Sequence, residues 1–218
     1  MKLLRAGRLL SLLTVVAATC ALAACKDSAP NVVRTAPVGP APDSFRVAFE
    51  TTRGHFVVEV VRALSPHGAD RFYDLAAESF FDESAFFRVV PGFVAQFGVN
   101  NDRKVNEAWD AKTIPDDSVK VPNVKGTLVF ASSGKDSRAH QLFVNLKDNK
   151  NLDKQRFSPI GRVVEGMGVV DSIYSGYGEA PSYHLLSTLG NSYLKRMFPK
   201  VDYIKTAHIV TASSPSSP

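Results

Sequence analysis

Short runs of alternating apolar and polar residues dominate this chain, and such alternation is typical of β-strands with one buried face. Phe45–Glu50 and His55–Val61 flank the turn-forming residues 51–54, so this part of the pattern predicts a β-hairpin. The further predicted strands are Phe86–Val90, Val94–Gly98, Thr127–Ala131, Gln141–Leu146, Pro159–Val164 and Asp202–Val210.

Apolar residues at helical spacing predict two helices. The first begins with Ser65 as N-cap and Pro66 as first helical residue, ahead of an apolar face of Ala69, Phe72, Tyr73 and Ala76. The second spans about Gly166–Ser175, with Met167, Val170, Ile173 and Tyr174 facing inward. Many short strands with two separated helices favour an antiparallel β-barrel or sandwich over a parallel βαβ sheet.

Two longer segments show no clear strand pattern. Val99–Val124 is polar and weakly periodic, which predicts a long functional or flexible loop. Gly176–Lys200 contains more aromatic residues than a free linker would, so we expect this segment to pack on the body of the domain.

Residues 86–98 read FFRVVPGFVAQFG, and Arg88 and Gln96 are polar interruptions of an otherwise apolar run. Pro91 disfavours a two-residue turn, because the favoured turns need positive φ where proline fixes φ near −65°. The pattern therefore predicts a three-residue loop, Pro91 to Phe93. That register places Arg88 opposite Gln96 and Val90 opposite Val94, on one face of the hairpin.

Two interpretations of Arg88 are open, because a charged side chain is seldom buried without a partner. In the first, Arg88 forms a structural ion pair with an acid in the wall of a β-domain. In the second, it lies at the floor of an apolar groove, where one or two convergent polar groups are typical of a ligand site. The shared face of Arg88, Gln96 and their aliphatic neighbours favours the second interpretation.

The segment FFRVVPGFVAQFG resembles the signature F-x-R-V-x-P-G-F-x-x-Q-x-G of the cyclophilins, which are peptidyl-prolyl cis/trans isomerases. Gly126–Asn145 and Leu152–Met167 resemble two further blocks of that family, in family order, across roughly residues 45–175. The resemblance implies a mainly β fold, a closed antiparallel β-barrel of about eight strands capped by two α-helices. Its substrate groove would lie on the outer wall, because side chains fill the interior.

The same resemblance implies roles for individual residues. Arg88 matches the catalytic arginine, which donates to the prolyl nitrogen while the amide is twisted, and Gln96 matches its catalytic partner. Gln141 matches a glutamine that binds the substrate backbone, and Ala131 with Ser132 match the edge segment that pairs with the peptide. The residues that match walls of the proline pocket are Phe93, Val94, Phe143 and Leu152. The family's pocket histidine falls at Arg156 or Phe157, and we take Phe157 as the substrate-binding residue.

Several positions depart from the family pattern. Phe87 replaces a histidine, Phe97 a glycine and Leu142 a phenylalanine, while Asn151 stands where many members have tryptophan. Two functions are therefore weighed. The first is an isomerase that accelerates the folding of secreted or envelope proteins at X–Pro bonds, and the alternative is a binding module or chaperone with little or no turnover.

The N-terminus has the form of a lipoprotein signal peptide over residues 1–24, with a basic start, an apolar stretch and small residues before Cys25. Leu22 to Cys25 resembles the bacterial lipobox, which implies lipid attached to Cys25 and anchoring at a membrane of the cell envelope, on its periplasmic or outer side. A soluble secreted form is the alternative. Residues 25–42 predict a proline-rich tether, 43–212 the isomerase domain and 213–218 a disordered tail.

Charge and composition limit the classes of ligand and partner that the sequence predicts. Three of the 26 basic residues lie in the predicted signal peptide, so the rest of the chain has 23 basic and 21 acidic residues. This nearly balanced charge gives no indication of nucleic-acid binding. The five histidines form no paired ligand set, so we expect neither a metal nor another cofactor. Ser133 to Asp136 lacks the spacing of a phosphate loop. The expected protein is a monomer that acts on proline-containing polypeptides.

Overall fold

The structure is a computed structural model that describes residues 39–210. Eight strands form one antiparallel sheet at the eight predicted places, with ends that differ by one or two residues. The strands are β1 Ser44–Thr51, β2 Gly54–Val61, β3 Arg88–Val90, β4 Val94–Phe97, β5 Thr127–Phe130, β6 Leu142–Asn145, β7 Pro159–Glu165 and β8 Ile204–Val210.

The predicted signal peptide 1–24, the lipid site Cys25, most of the tether 25–42 and the tail 213–218 lie outside the described residues. Within the end of the predicted tether, Ala41 is buried, and its backbone N–H donates to Asp70 at 2.9 Å. The packed domain therefore begins at or before Ala41, slightly earlier than the predicted boundary at residue 43.

The sheet runs in the order β3-β4-β6-β5-β7-β2-β1-β8, and the residues that precede its two edge strands meet. Ala85 forms an isolated bridge with Tyr203, and Phe86 N–H donates to the Asp202 carbonyl at 3.0 Å. These contacts join β3 to β8 and close the predicted barrel. Closure uses a short bridge instead of a full ladder between the edge strands.

Aromatic rings fill the barrel interior. Phe49 and Phe56 stack at 4.7 Å between ring centroids, and Phe97 contacts Phe49 edge-on at 5.8 Å. All three side chains are fully buried. Because the interior is occupied, a ligand has to bind on the outer wall or rim.

The two predicted helices are present as α1 Pro66–Ala77 and α4 Met167–Asp171, and both bury residues in the barrel core. Helix α4 is shorter than predicted, because it ends at Asp171 and the predicted helix extended to Ser175. Ser65 is the N-cap of α1 and Pro66 its first residue, as predicted, but the Ser65 hydroxyl donates to Asp117 at 2.6 Å and makes no capping bond of its own. Asp117 also accepts the N–H groups of His67 and Gly68 at 3.2 and 3.0 Å. A carboxylate distant in sequence thus caps α1.

The number of helices was underestimated. Residues 39–210 also contain α2 Arg103–Asp110, α3 Asn151–Lys154, α5 Tyr183–Leu189, α6 Asn191–Met197 and a 3₁₀ turn at Arg62–Leu64. Helix α2 lies in the segment predicted as a loop. A single buried aromatic residue, Trp109, anchors it against the Arg71 guanidinium, 5.1 Å from the ring. Val105, one turn before Trp109, packs partly against the same core, so the apolar face of α2 covers a single turn and is a shorter pattern than the face of α1.

The aromatic segment 176–200 packs on the body of the domain, as predicted. Leu186 of α5 and Leu194 of α6 are buried in a second apolar cluster with Phe87 and Val99 from the barrel side. Over residues 39–210, no helix has the length and apolar character needed to cross a bilayer.

Candidate active site

The β3–β4 hairpin has the predicted register. Arg88 pairs with Gln96 and Val90 with Val94, and the loop consists of the three predicted residues. Gly92 in this loop has φ of 64°, a conformation that glycine adopts without steric cost. The hairpin therefore presents Arg88 and Gln96 side by side on one face.

The Arg88 guanidinium lies at the surface of the barrel wall, with its side chain 30% exposed. Its NH1 group donates to Gln96 Oε1 at 3.2 Å, and the guanidinium carbon lies 5.6 Å from the centroid of the Phe93 ring. Its Nε and NH2 groups both donate to Glu179 Oε1, the Nε bond at 2.7 Å. All three nitrogens of the guanidinium therefore donate a hydrogen bond.

A row of polar side chains continues from Arg88 across the sheet. Gln96 Nε2 donates to Gln141 Oε1 at 3.0 Å, so Arg88, Gln96 and Gln141 form one hydrogen-bonded series. The middle residue is half-buried, as is Gln141. The amide of Gln96 therefore holds the guanidinium on one side and Gln141 on the other.

The predicted pocket residues lie together in an apolar cluster outside the barrel core. Phe143 and Phe157 meet edge-on with ring centroids 5.8 Å apart. The members of the cluster are Val94, Val129, Phe143 and Leu152, with Phe93, Ala131 and Phe157 partly exposed at its margin. The cluster and the polar row meet on β4, which carries Val94 of the cluster and Gln96 of the row, so the site has one apolar and one polar side.

Buried amides position the loop that carries Phe93. Asn149 Nδ2 donates to the Phe93 carbonyl at 2.8 Å and to Asn145 Oδ1 at 2.7 Å. Asn145 in turn donates to Asn123 Oδ1 at 3.0 Å. The sequence analysis missed these asparagines, whose spacing along the chain carries no distinctive signal.

Ser132 lies beside a cavity of about 310 Å³ next to the polar row. Gln96, Gln141 and Ala131 line the cavity from the barrel side, and Asp110 and Tyr183 line it from the opposite side. The predicted site residues within 39–210 thus belong to the apolar cluster or line this cavity, except Arg88, which contacts Phe93 of the one and Gln96 of the other. The roles that the resemblance implies for them stay predictions.

Asp110, His140 and Tyr183 form a charged network at the cavity that the sequence analysis did not identify. Buried His140 contacts the Gly98 carbonyl through Nδ1 at 2.7 Å and Asp110 Oδ1 through Nε2 at 2.8 Å. The hydrogen bond from His140 lowers the pKa of Asp110 below its ordinary value. Burial, together with the adjacent Asp110 charge, raises the pKa of Tyr183 to about 12.

The contacts of Arg88 bear on both interpretations from the sequence, the structural ion pair and the ligand site. Arg88 does pair with an acid, Glu179, but the Glu179 side chain is 64% exposed and comes from the segment 176–200. A surface pair of this kind is weak and exchanges readily. The guanidinium is thus engaged in the resting site, and a ligand beside the apolar cluster has to compete with the exposed Glu179 carboxylate for it.

The departures from the family pattern have structural counterparts. Phe87, at the histidine position, is buried in the second apolar cluster, and the centroid of its ring lies 6.4 Å from that of the Tyr183 ring. Phe157 belongs to the site cluster, whereas Arg156 is exposed with φ of 68°. Asn151, at the tryptophan position, is exposed at the start of α3.

Among residues 39–210, no group of three or more His, Cys, Asp or Glu side chains has an arrangement that could hold a metal ion.

Comparisons with known proteins relate most of the described domain to one family. Residues 46–185 match the sequence model described as cyclophilin type peptidyl-prolyl cis-trans isomerase/CLD. A peptidyl-prolyl cis-trans isomerase of Acinetobacter baylyi is 31% identical over 132 residues, which cover 58% of this chain and 70% of that protein. Peptidyl-prolyl cis-trans isomerase A of Dickeya dadantii is 31% identical over 142 residues, covering 63% and 75%.

Solved structures support the same fold. The crystal structure of a Cryptosporidium parvum cyclophilin type peptidyl-prolyl cis-trans isomerase in the presence of the dipeptide Ala-Pro aligns with a TM-score of 0.56 at 16% identity. The alignment covers 76% of this chain and 99% of that one.

Proposed function

Because this chain belongs to the cyclophilin-type peptidyl-prolyl cis-trans isomerase family, we propose that it catalyses isomerisation of X–Pro bonds through Arg88 in secreted or envelope proteins. The observation that carries the proposal is the Arg88 guanidinium, held by Gln96 at the edge of an apolar cluster. That arrangement offers a proline ring an apolar surface and the adjacent amide a fixed hydrogen-bond donor.

The chemistry requires no covalent intermediate. Rotation about an X–Pro bond has a barrier of roughly 18–20 kcal/mol that arises from amide resonance. A site lowers this barrier when it binds the twisted amide more tightly than either planar isomer. As the bond twists, the prolyl nitrogen gains lone-pair character and becomes an acceptor. A permanently charged arginine beside it is a suitable donor at every physiological pH.

The remaining site residues take complementary roles. The Phe143 and Phe157 rings, with Leu152, receive the pyrrolidine ring of the substrate, because this cluster is the apolar surface adjacent to Arg88. The backbone of Ala131 and Ser132 pairs with the extended peptide. Gln96 orients Arg88, and Gln141 extends the same series toward the substrate backbone.

Replacement of Arg88 by alanine tests the mechanism. We expect Arg88→Ala to lose about 100-fold or more of the isomerisation rate, since loss of one transition-state donor typically has an effect of this size. The assay is NMR exchange spectroscopy on an Ala-Pro peptide, with thermal unfolding to verify the fold. Arg88→Lys is the matched control that keeps the charge without the rigid fork. Wild-type exchange rates in a folded Arg88→Ala variant would contradict the proposal.

A second candidate is a binding module with little turnover, and the pairing of Arg88 with Glu179 favours it, since the donor is already engaged. A proline-limited refolding reaction separates the two functions. Acceleration at substoichiometric protein supports the enzyme, whereas an effect at stoichiometric amounts alone supports the binder.

We also propose that Cys25 carries lipid and anchors the domain in the cell envelope through the tether. The support is the sequence of residues 1–25. Fractionation of cells that express the full chain tests this proposal. We expect wild-type protein in the membrane fraction and Cys25→Ala in the soluble fraction or unprocessed; the same processed, membrane-bound form for both would contradict it.

A further inference from the structure

The carboxylate of Glu179 is the least expected group at this site. All of its hydrogen bonds to Arg88 use Oε1, through Nε at 2.7 Å and through NH2. No hydrogen bond within residues 39–210 involves Oε2, and the side chain is 64% exposed. A negatively charged oxygen is thus available to solvent beside the guanidinium that the proposed mechanism uses.

The backbone holds Glu179 at this place. Val89 N–H, on the free edge of β3, donates to the Gly178 carbonyl at 3.1 Å, directly before Glu179. Gly178 has φ of 52° and closes a turn to Ser175 with a hydrogen bond of 3.0 Å. The preceding Tyr177 contacts Phe198 with ring centroids 5.1 Å apart. The position of the carboxylate is therefore built into the fold.

The charge balance around the polar row follows from this contact. Glu179 neutralises Arg88 in the resting site, and Asp110, with its side chain 48% exposed, adds a second carboxylate at the cavity. A substrate residue next to the proline would meet Oε2 of Glu179 before it meets unpaired positive charge. A cationic side chain would be attracted there, and an anionic one repelled.

We propose that Glu179 is a specificity-determining residue, which favours polypeptides with lysine or arginine directly after the proline or two residues before it over those with acidic residues there. This inference deepens the proposed function and rests on it. The Lys or Arg side chain of the substrate forms an ion pair with the Glu179 carboxylate when Arg88 leaves that carboxylate to donate to the prolyl amide. An acidic substrate leaves two carboxylates competing for one guanidinium.

The test uses blocked Ala-Pro peptides with Lys, Gln or Glu placed directly after the proline, and a second set with the charge two residues before it. Exchange spectroscopy gives kcat/KM, and NMR titration gives Kd without need of turnover. For the wild type we expect the Lys peptide to exceed the Glu peptide about fivefold in at least one set, as for an exposed ion pair. In about 1 M salt the ratio should approach one.

Glu179→Gln is the decisive variant, because it keeps the shape and the hydrogen bonds to Arg88 but removes the charge. We expect the preference to disappear or reverse toward the Glu peptide, since Arg88 is then unneutralised. Glu50→Gln is the matched control, as Glu50 is an acid of similar exposure paired with His55 on the β1–β2 hairpin, and it should keep the wild-type ratio.

The outcomes separate this inference from the proposed function. Equal Lys-to-Glu ratios in wild type and Glu179→Gln, for both kcat/KM and Kd, overturn the role of Glu179 while leaving isomerisation intact. A charge preference in Kd that Glu179→Gln abolishes, without measurable turnover in any peptide, supports the role of Glu179 and overturns the isomerase.

Discussion

Gln96 is the residue through which the hairpin controls Arg88, and its replacement by leucine should impair catalysis with little effect on folding. Gln96 accepts from Arg88 at 3.2 Å and donates to Gln141 at 3.0 Å. Leucine has a similar size but makes neither bond. A hydrogen bond to a charged group contributes about 1.5–3 kcal/mol, and each 1.36 kcal/mol is tenfold in rate. We therefore expect kcat/KM to fall about 10- to 100-fold in Gln96→Leu.

Stability should change much less, because Gln96 is half-buried and water can reach the Gln141 amide that loses its partner. About 1 kcal/mol is the expected loss. Exchange spectroscopy on an Ala-Pro peptide measures the rate, and urea unfolding measures the free energy of unfolding. Gln96→Glu is the control, since it retains an acceptor for Arg88 and should keep more activity than Gln96→Leu.

Two results would refute this reasoning. If Gln96→Leu retained the wild-type kcat/KM, Arg88 would not depend on Gln96 for its orientation. If Gln96→Leu lost several kcal/mol of stability, the polar row would be a structural element of the barrel, and the rate alone would report nothing on catalysis.

Three further predictions concern the frame of the site. Asp117→Ala removes the cap of α1 and the carboxylate that lies 2.9 Å from buried Arg138. The free energy of unfolding in urea should therefore fall by about 3–5 kcal/mol, and a fall of less than about 1 kcal/mol would contradict this account. Gly98→Ala forces a Cβ to 2.5 Å from the His140 carbonyl at φ of 100°, and the melting temperature should fall clearly, whereas an unchanged value would show that the backbone relaxes without cost. The pKa of Asp110 is lowered by the hydrogen bond from His140 and that of Asp70 by the hydrogen bond from Arg62, so both carboxyls bind fewer protons in the folded state. The stabilisation of the fold by these two carboxylates is complete above their ordinary pKa of 3.8 and is lost as the pH falls through their folded pKa values. A free energy of unfolding that increases as the pH is lowered from about 5 to about 3 would contradict this prediction.

Local pattern was sufficient for much of the fold. Strand alternation and the constraint of Pro91 on its turn predicted the register that pairs Arg88 with Gln96, because both depend on residues close together in the chain. The apolar face of α1 followed from helical spacing for the same reason. The resemblance to cyclophilins then predicted the pocket residues, of which Phe93, Phe143 and Phe157 lie in one cluster.

Contacts between distant parts of the chain were beyond the reach of pattern. Glu179 meets Arg88 across 91 positions, and Asp117 caps α1 across 49 positions to Gly68. Neither acid differs from an ordinary surface residue in the sequence, since its partner is selected by the packing of whole segments. Helix α2 was missed because its apolar face, Val105 and Trp109, covers a single turn. The sequence by itself thus specifies the hairpin that carries the Arg88 guanidinium. The packing of residues 176–200 against the barrel places the Glu179 carboxylate beside it, and only the tertiary structure shows this, because electrostatic interactions depend on distance in space and not on separation along the chain.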